Sequence, residues 1–461
     1  MNIKSTFLLG VSKLLEKVIA FSFYFIIART FGSAEFGEFS YFFSLASFVM
    51  VMFDFGGEIY CVRLFSHNKG RDVLTQFLVI KTWVALLIVS TMLVLNQNHL
   101  FILLVGMSYL DSVILVFRSR FLCFNEIVQD TKFSILEKLI SVGLFAVGVF
   151  SFESLSYSIL LLLMGKIFGL LVLNYYRPFM KAAFYQMFGL RKIFRFLVEI
   201  VKESWTYSLH GLTYLLFYQL DIILLKMNHV HAEDIGEYSA AMKIFGFGLI
   251  VSEILFRQFY PELARLLNEN QVDQIRDLLR RLSNASLIIS LSLMCVLVVF
   301  SELIIKSTFG SEFQSSGLIL AILACAMIFR FQAAPYSGLL AASNFNYYKM
   351  IVSGVCVAVN VVLNVIFIPK YGVLASAFVT VLTELLFWIM LRISVKQNFP
   401  SFETPINLLH WVWVFVLTSI SFFSFFHDWR IKSLVMLLVI VVVYNYRQFV
   451  LDIFKKVNLT L

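Results

Sequence analysis

Apolar stretches long enough to cross a bilayer alternate with short polar breaks along the whole of this 461-residue chain. Windows of about 19 residues pick out apolar runs near 6–28, 36–60, 74–95, 100–120, 134–151 and 155–176. A basic, amphipathic stretch follows, and then a second set near 204–227, 236–258, 283–305, 316–341, 347–368 and 372–395. Two further runs, near 407–427 and 431–447, bring the expectation to about 14 helices. The fold class expected is an all-α polytopic membrane protein. Its parts are an N-lobe at 1–176, a cytoplasmic linker at 177–203, a C-lobe at 204–396, and two further helices with a tail at 397–461.

The two sets of six carry an internal repeat. Ala34-Glu35-Phe36-Gly37-Glu38-Phe39-Ser40 in the first connection answers Ala232-Glu233-Asp234-Ile235-Gly236-Glu237-Tyr238-Ser239 in the connection between the seventh and eighth spans. Aligning Gly37 on Gly236 also sets Asp54 opposite Glu253, each an acid in an even-numbered helix. Each set has an even number of spans, so the copies share one orientation, as parallel repeats about an axis along the membrane normal do. The expected arrangement is two lobes around a central cavity.

Composition excludes a soluble fold: 60% of residues are hydrophobic and 14% charged, with a mean hydropathy of +0.87, against about 25% charged in soluble domains. Lys and Arg crowd alternate loops. Arg63, Lys69 and Arg71, then Arg118, Arg120 and Lys132, then the basic residues from Arg177 to Lys202, then Arg257, Arg265, Arg276, Arg280 and Arg281 fall on one side. The other side holds only Arg29, Lys226, Lys306, Lys370, Arg430 and Lys432. Positive charge is retained in the cytoplasm, so both termini are expected there. The formal net charge of +9 is met by anionic lipid headgroups and asks for no nucleic acid. The odd count of five Cys, without a CxxC pair, reads as free thiols packed as small hydrophobes, giving neither a disulfide frame nor a metal site. The first apolar stretch contains Lys13, Glu16 and Lys17 and runs too long for a cleavable signal.

No Walker sequence, GxSxG, HExxH or glycine fingerprint is present, which argues against an enzyme and implies no cofactor. The informative residues are ionisable groups inside apolar helices, each costing about 2.5–3.5 kcal/mol at mid-bilayer. Lys13, Lys17, Lys81, Lys138 and Lys166 give the first lobe an excess of cations, and Arg330 stands between Phe329 and Phe331 in the second. A cavity lined by them would have a positive potential and suit a phosphate-bearing substrate. The plainer alternatives stay open: Lys13, Glu16 and Lys17 as a self-paired cluster, Glu137 compensating Lys138, Lys166 snorkelling to an interface. Glu16, Asp54, Asp221, Glu253 and Glu384 are candidates to carry a coupling proton or sodium ion, or counter-ions for the lysines. His210 and the His229-x-His231 pair make a poor metal site. Asn360 and Asn364, four apart, offer amides for hydrogen bonding across helices, and Gly165-x-x-x-Gly169 has close-packing spacing.

The motifs together resemble those of the Wzx-type O-antigen and polysaccharide flippases of the MOP exporter superfamily. They are Ala28-Arg29-Thr30-Phe31-Gly32-Ser33-Ala34-Glu35-Phe36-Gly37, Asp54-Phe55-Gly56, Asp221-Ile222-Ile223-Leu224, Gly236-Glu237-Tyr238-Ser239-Ala240-Ala241 and Ile368-Pro369-Lys370-Tyr371-Gly372, in the family's order over about residues 1–400. The resemblance implies an alternating-access carrier for an undecaprenyl-pyrophosphate-linked oligosaccharide, with the pyrophosphate among lysines and the lipid tail in the bilayer. It also implies work beside the polymerase and chain-length regulator of the same pathway. Family cavities often show arginines where this chain has mostly lysines, which bind phosphate as point charges rather than forks. The related MATE-type exporters of small cationic molecules are the competing expectation, and a membrane O-antigen polymerase the more remote one.

Overall fold

The computed structural model describes residues 3–54, 70–123, 126–176, 212, 215–216, 218–343 and 345–402. The linker at 177–203, the two runs after 407 and His210 lie outside these. Every regular element among the described residues is helical: α1 (Ile3–Asp54), α2 (Gly70–Val94), α3 (His99–Cys123), α4 (Ile127–Phe152), α5 (Leu155–Tyr176), a helical segment at 218–227, α6 (Ala232–Asn268), α7 (Val272–Val299), the short α8 (Ser301–Thr308), α9 (Ser316–Ala342), α10 (Asn346–Asn398) and a single 3-10 turn at Pro400–Phe402. Eight stretches among them are long and apolar enough to cross a membrane. Two of the eight, in α1 and α10, each hold two helical segments joined at a glycine. The chain is an all-helical, multi-span membrane protein.

The glycine joints follow from backbone sterics. Gly32 has φ 78° and ψ −178°, and Gly372 has φ 56° and ψ −137°; a Cβ makes such conformations costly, so the chain turns at glycine and restarts a helix at once. Other turns use a left-handed residue as a helix stop, at Asn96, Glu153 and His229. At Asn96 the next amide, Gln97 N–H, donates to Met92 O at 3.1 Å, which satisfies a carbonyl orphaned by the helix end. Of the positive-φ residues described, all but Asn270 fall on turns that the charge pattern assigns to the outside. The turn at Asn270 joins two long helices. There α7 opens with Asp273, Arg276, Asp277, Arg280 and Arg281 before its apolar run begins.

The chain divides into two compact units, Met1–Ile223 and Leu224–Leu461. In the first, α1 packs on α3 and α4, and α4 lies along α5. Phe77, Val113, Phe117 and Leu170 form part of a core shared by α2, α3 and α5, and Phe23 meets Phe145 edge-on at 4.7 Å between centroids. In the second, α9 is the central helix, packed by α6, α7, α8 and α10, and buried along most of its length. Outward positions of α4 and α5, such as Phe150, Phe168 and Leu171, are exposed and apolar. Lipid is their solvent. A shallow groove of about 590 Å³ between these two helices is lined by Leu139, Ile140, Gly143, Leu144, Met164 and Phe168.

Candidate functional site

Charge within the first unit is gathered by helix contacts that small residues permit. A β-carbon on Gly165 would stand 2.7 Å from the Cα of Ser141, and one on Gly169 3.0 Å from the Cγ of Glu137. With hydrogen in those places, α5 closes on α4 and Lys166 arrives beside the α4 carboxylate. Lys166 Nζ donates to Asp111 Oδ1 of α3 at 2.5 Å and to Glu137 Oε1 at 3.4 Å. Glu137 Oε1 also accepts from Ser141 Oγ at 3.2 Å. Three helices are thus tied by one ammonium.

A second node joins α1, α3 and α4. Arg118 donates through Nε to Asp130 Oδ1 at 2.6 Å and through Nη2 to Asp130 Oδ2 at 3.0 Å, the bidentate fork that makes arginine pairing strong and directional. Its remaining nitrogen, Nη1, lies 3.4 Å from Glu16 Oε1, and Lys138 Nζ donates to that same oxygen at 3.1 Å. Exposure rises across the node: 1% for the Asp130 side chain, 8% for Glu16, 14% for Arg118 and 24% for Lys138.

Lys81 of α2 has other surroundings. Fully buried, it donates to Ser112 Oγ at 2.5 Å and Ser112 O at 3.2 Å, and its ammonium stands 4.9 Å from the Phe77 ring centroid. In the second unit, Arg330 Nη1 of α9 lies 3.5 Å from Glu384 Oε2 of α10, whose side chain is wholly enclosed. The guanidinium stands 5.3 Å from the Phe387 ring centroid. Along α10, Asn364 Nδ2 donates to Asn360 Oδ1 at 3.0 Å, and Ser376 Oγ, beyond the Gly372 joint, donates to Asn364 Oδ1 at 2.9 Å.

Glu16 and Lys138 therefore meet each other, Arg330 meets Glu384, and Lys81, Lys138 and Lys166 each have a different set of partners. Lys17 is exposed, Asp221 is buried on the segment 218–227, and Glu253 is exposed on α6. The side chains of Lys13 and Asp54 lie outside the described residues. Glu137 and Lys138, adjacent in sequence, turn to different partners, as neighbours on a helix must. The amides of Asn360 and Asn364 bond to one another within one helical segment. Arg118 and Asp130 escape a sequence reading: Arg118 reads as a loop cation at the end of an apolar run, and the one signal against this is its place inside the run near 100–120. Lys138, Lys166, Arg118 and Arg330 thus stand in cation–carboxylate pairs within helices, and Lys81 stands on Ser112. Ionisable groups paired within apolar helices are candidates for a substrate or ion pathway.

The sequence matches the family described as "Polysaccharide biosynthesis protein" over residues 3–267, more than half of the chain. A 161-residue segment is 26% identical to the "Probable low-salt glycan biosynthesis flippase Agl15" of Haloferax volcanii; it spans 35% of this chain and 33% of that one, so the match reaches about a third of the relative's length. The fold is similar to that of the lipid II flippase MurJ in an inward closed conformation, with a TM-score of 0.72 and 16% identity over 96% of this chain and 100% of the other. It is also similar to an inward-facing MATE-family multidrug resistance transporter of the MOP superfamily, with a TM-score of 0.61 and 12% identity over 88% and 95% of the two chains. Flippases and transporters, rather than enzymes, are what this chain is similar to. On the extent of the family match, the chain belongs to the polysaccharide biosynthesis protein family.

Proposed function

We propose that this chain is a flippase that carries an undecaprenyl-pyrophosphate-linked oligosaccharide, a repeat unit of O-antigen or a related surface polysaccharide, from the cytoplasmic to the periplasmic leaflet of a bacterial inner membrane. The observation that carries the reading is the presence, in a chain of this family, of Lys138 and Lys166 inside the apolar helices of the first unit, with Arg118 near the end of a third. Cations at such depth are costly and are kept for an anion or a pathway. A pyrophosphate headgroup is such an anion, while the prenyl tail needs only lipid. The name of the Haloferax volcanii relative, a glycan biosynthesis flippase, supports a glycan as the cargo.

In this reading the 14-helix chain, with both termini cytoplasmic, works by alternating access between its two repeat-related lobes at 1–176 and 204–396. Glu16, Asp54, Asp221, Glu253 and Glu384 are the candidates for coupling to a proton or sodium gradient. Lys13, Lys17, Lys81, Lys138, Lys166 and Arg330 are the candidates for electrostatic attraction of the headgroup, and the pathway's polymerase and chain-length regulator are the partners that receive the product. The fold is shared with multidrug exporters, which makes a small-molecule exporter the competing reading; the family match favours the glycan. Removing the chain from cells that make it should stop surface polysaccharide and leave single lipid-linked units unpolymerised. Normal polysaccharide in such cells would overturn the proposal.

A further inference from the structure

We propose that Glu16 is a resident stand-in for the substrate's phosphate: its carboxylate closes a clamp formed by Arg118 and Lys138, and an incoming phosphate-bearing lipid headgroup displaces it. The inference rests on the flippase reading and gives that reading a place where the headgroup is first gripped.

The clamp's geometry is uneven in a telling way. Asp130 fixes the guanidinium by two bonds, 2.6 Å and 3.0 Å long, within or near the range of strong charge-assisted bonds of about 2.7–2.9 Å. The bonds to Glu16 are looser, 3.4 Å from Arg118 Nη1 and 3.1 Å from Lys138 Nζ, and both end on one oxygen. Asp130 is thus the permanent partner that aims Nη1, while Glu16 is held by two cations that also have the most exposed side chains of the node. A phosphate group brings more negative charge and three strong acceptor oxygens, where the bonds described from Arg118 and Lys138 share one carboxylate oxygen. It can meet both cations at full strength, leaving the Arg118–Asp130 fork untouched. Lys138 adds a contact to Ser134 Oγ at 3.4 Å, which steadies the ammonium from its own helix.

The placement suits a lipid entering from one leaflet. Glu16 lies in the first part of α1, Arg118 in the last two turns of α3, and Asp130 in the first turn of α4 with Lys138 two turns on. Arg118 and Asp130 thus stand at helix ends that the distribution of Lys and Arg assigns to the cytoplasm, with Glu16, about midway along the segment that ends at Gly32, and Lys138 further in. Displacing Glu16 would release α1 from α3 and α4 at this node, so headgroup arrival and loosening of α1 are one event.

The test uses the full chain in nanodiscs of zwitterionic lipid, with undecaprenyl pyrophosphate and, separately, inorganic pyrophosphate as probes. Glu16→Gln removes the competing charge and should tighten prenyl pyrophosphate binding by at least about fivefold, the lower end of usual coupling between sites. Arg118→Gln and Lys138→Gln should each weaken it by about tenfold or more. The same ranking with inorganic pyrophosphate supports a clamp for phosphate itself; a response limited to the prenyl probe supports one that needs the lipid. Should Glu16→Gln fold poorly, Glu16→Asp, which draws the carboxylate back by one methylene, should shift binding in the same direction. Binding unchanged or weakened in the folded Glu16 variants overturns the clamp, while polysaccharide export by the same cells leaves the flippase reading standing. Wild-type chain that binds neither probe, in a strain whose polysaccharide survives loss of the chain, overturns both.

Discussion

Gly165 of α5 and Ser141 of α4 are backbone to backbone: a β-carbon on the glycine would stand 2.7 Å from the serine Cα. This approach is what lets Lys166 reach Asp111 and Glu137 from the next helix. The atom in the way is main chain, so it cannot swing aside. Gly165→Ala should therefore destabilise the protein by about 1–3 kcal/mol, the usual cost of overpacking, read as a lowered unfolding temperature in detergent. Gly143 faces open space within 4 Å, and Gly143→Ala should be neutral or stabilising by up to about 1 kcal/mol through helix propensity. Equal effects of the two substitutions would contradict the packing account.

Glu384 is fully enclosed, and the guanidinium of Arg330 lies 3.5 Å from it. Removing one partner of a buried pair costs about 3–5 kcal/mol, whereas replacing both by apolar residues of similar size is often neutral. Glu384→Ala should accordingly lower thermal stability strongly, and Arg330→Met with Glu384→Leu should recover most of the loss. A double variant as unstable as Glu384→Ala would mean that the two side chains act separately.

Gly32 and Gly372 join helix to helix in backbone conformations that an L side chain resists. Replacing either with Ala should cost about 1–3 kcal/mol, seen as less folded protein in the membrane fraction. Asn96, at φ 50°, is a left-handed stop that glycine can fill, so Asn96→Gly should be tolerated.

Helices, and the two glycine joints, are legible in the sequence because each is local: a long apolar run, or a glycine in Phe31-Gly32-Ser33 or Tyr371-Gly372. The charge partners are not. Lys166 finds Asp111 and Glu137 at sequence separations of 55 and 29, and Lys138 finds Glu16 at 122. No spacing rule reaches that far. Local periodicity does not settle Asn360 and Asn364 either, since i, i+4 amides can bond one another or a neighbouring helix, and here they do the first while Ser376 supplies the second contact. Arg118 was hidden by its position at a helix end, where a basic residue ordinarily reports membrane orientation.

Lys81 and Lys138 read alike in sequence but sit differently, one fully buried on Ser112 and the other about a quarter exposed beside Glu16. Lys81→Ala should act mainly on stability, through the buried bonds to Ser112 that its ammonium gives up, at about 1.5–3 kcal/mol for a hydrogen-bonded charged group. Lys138→Ala should reduce surface polysaccharide while amount and insertion of the protein stay normal. Surface polysaccharide unaffected by Lys138→Ala would remove this lysine from headgroup binding.

The most direct test of the central claim follows lipid-linked oligosaccharide across the membrane in cells that lack the chain, by extracting the lipid and measuring how much of it a membrane-impermeant reagent reaches from the periplasmic side. The account predicts single, unpolymerised pyrophosphate-linked units that accumulate out of the reagent's reach and become accessible when the chain is restored. Units that reach the periplasmic leaflet equally well without the chain would contradict it.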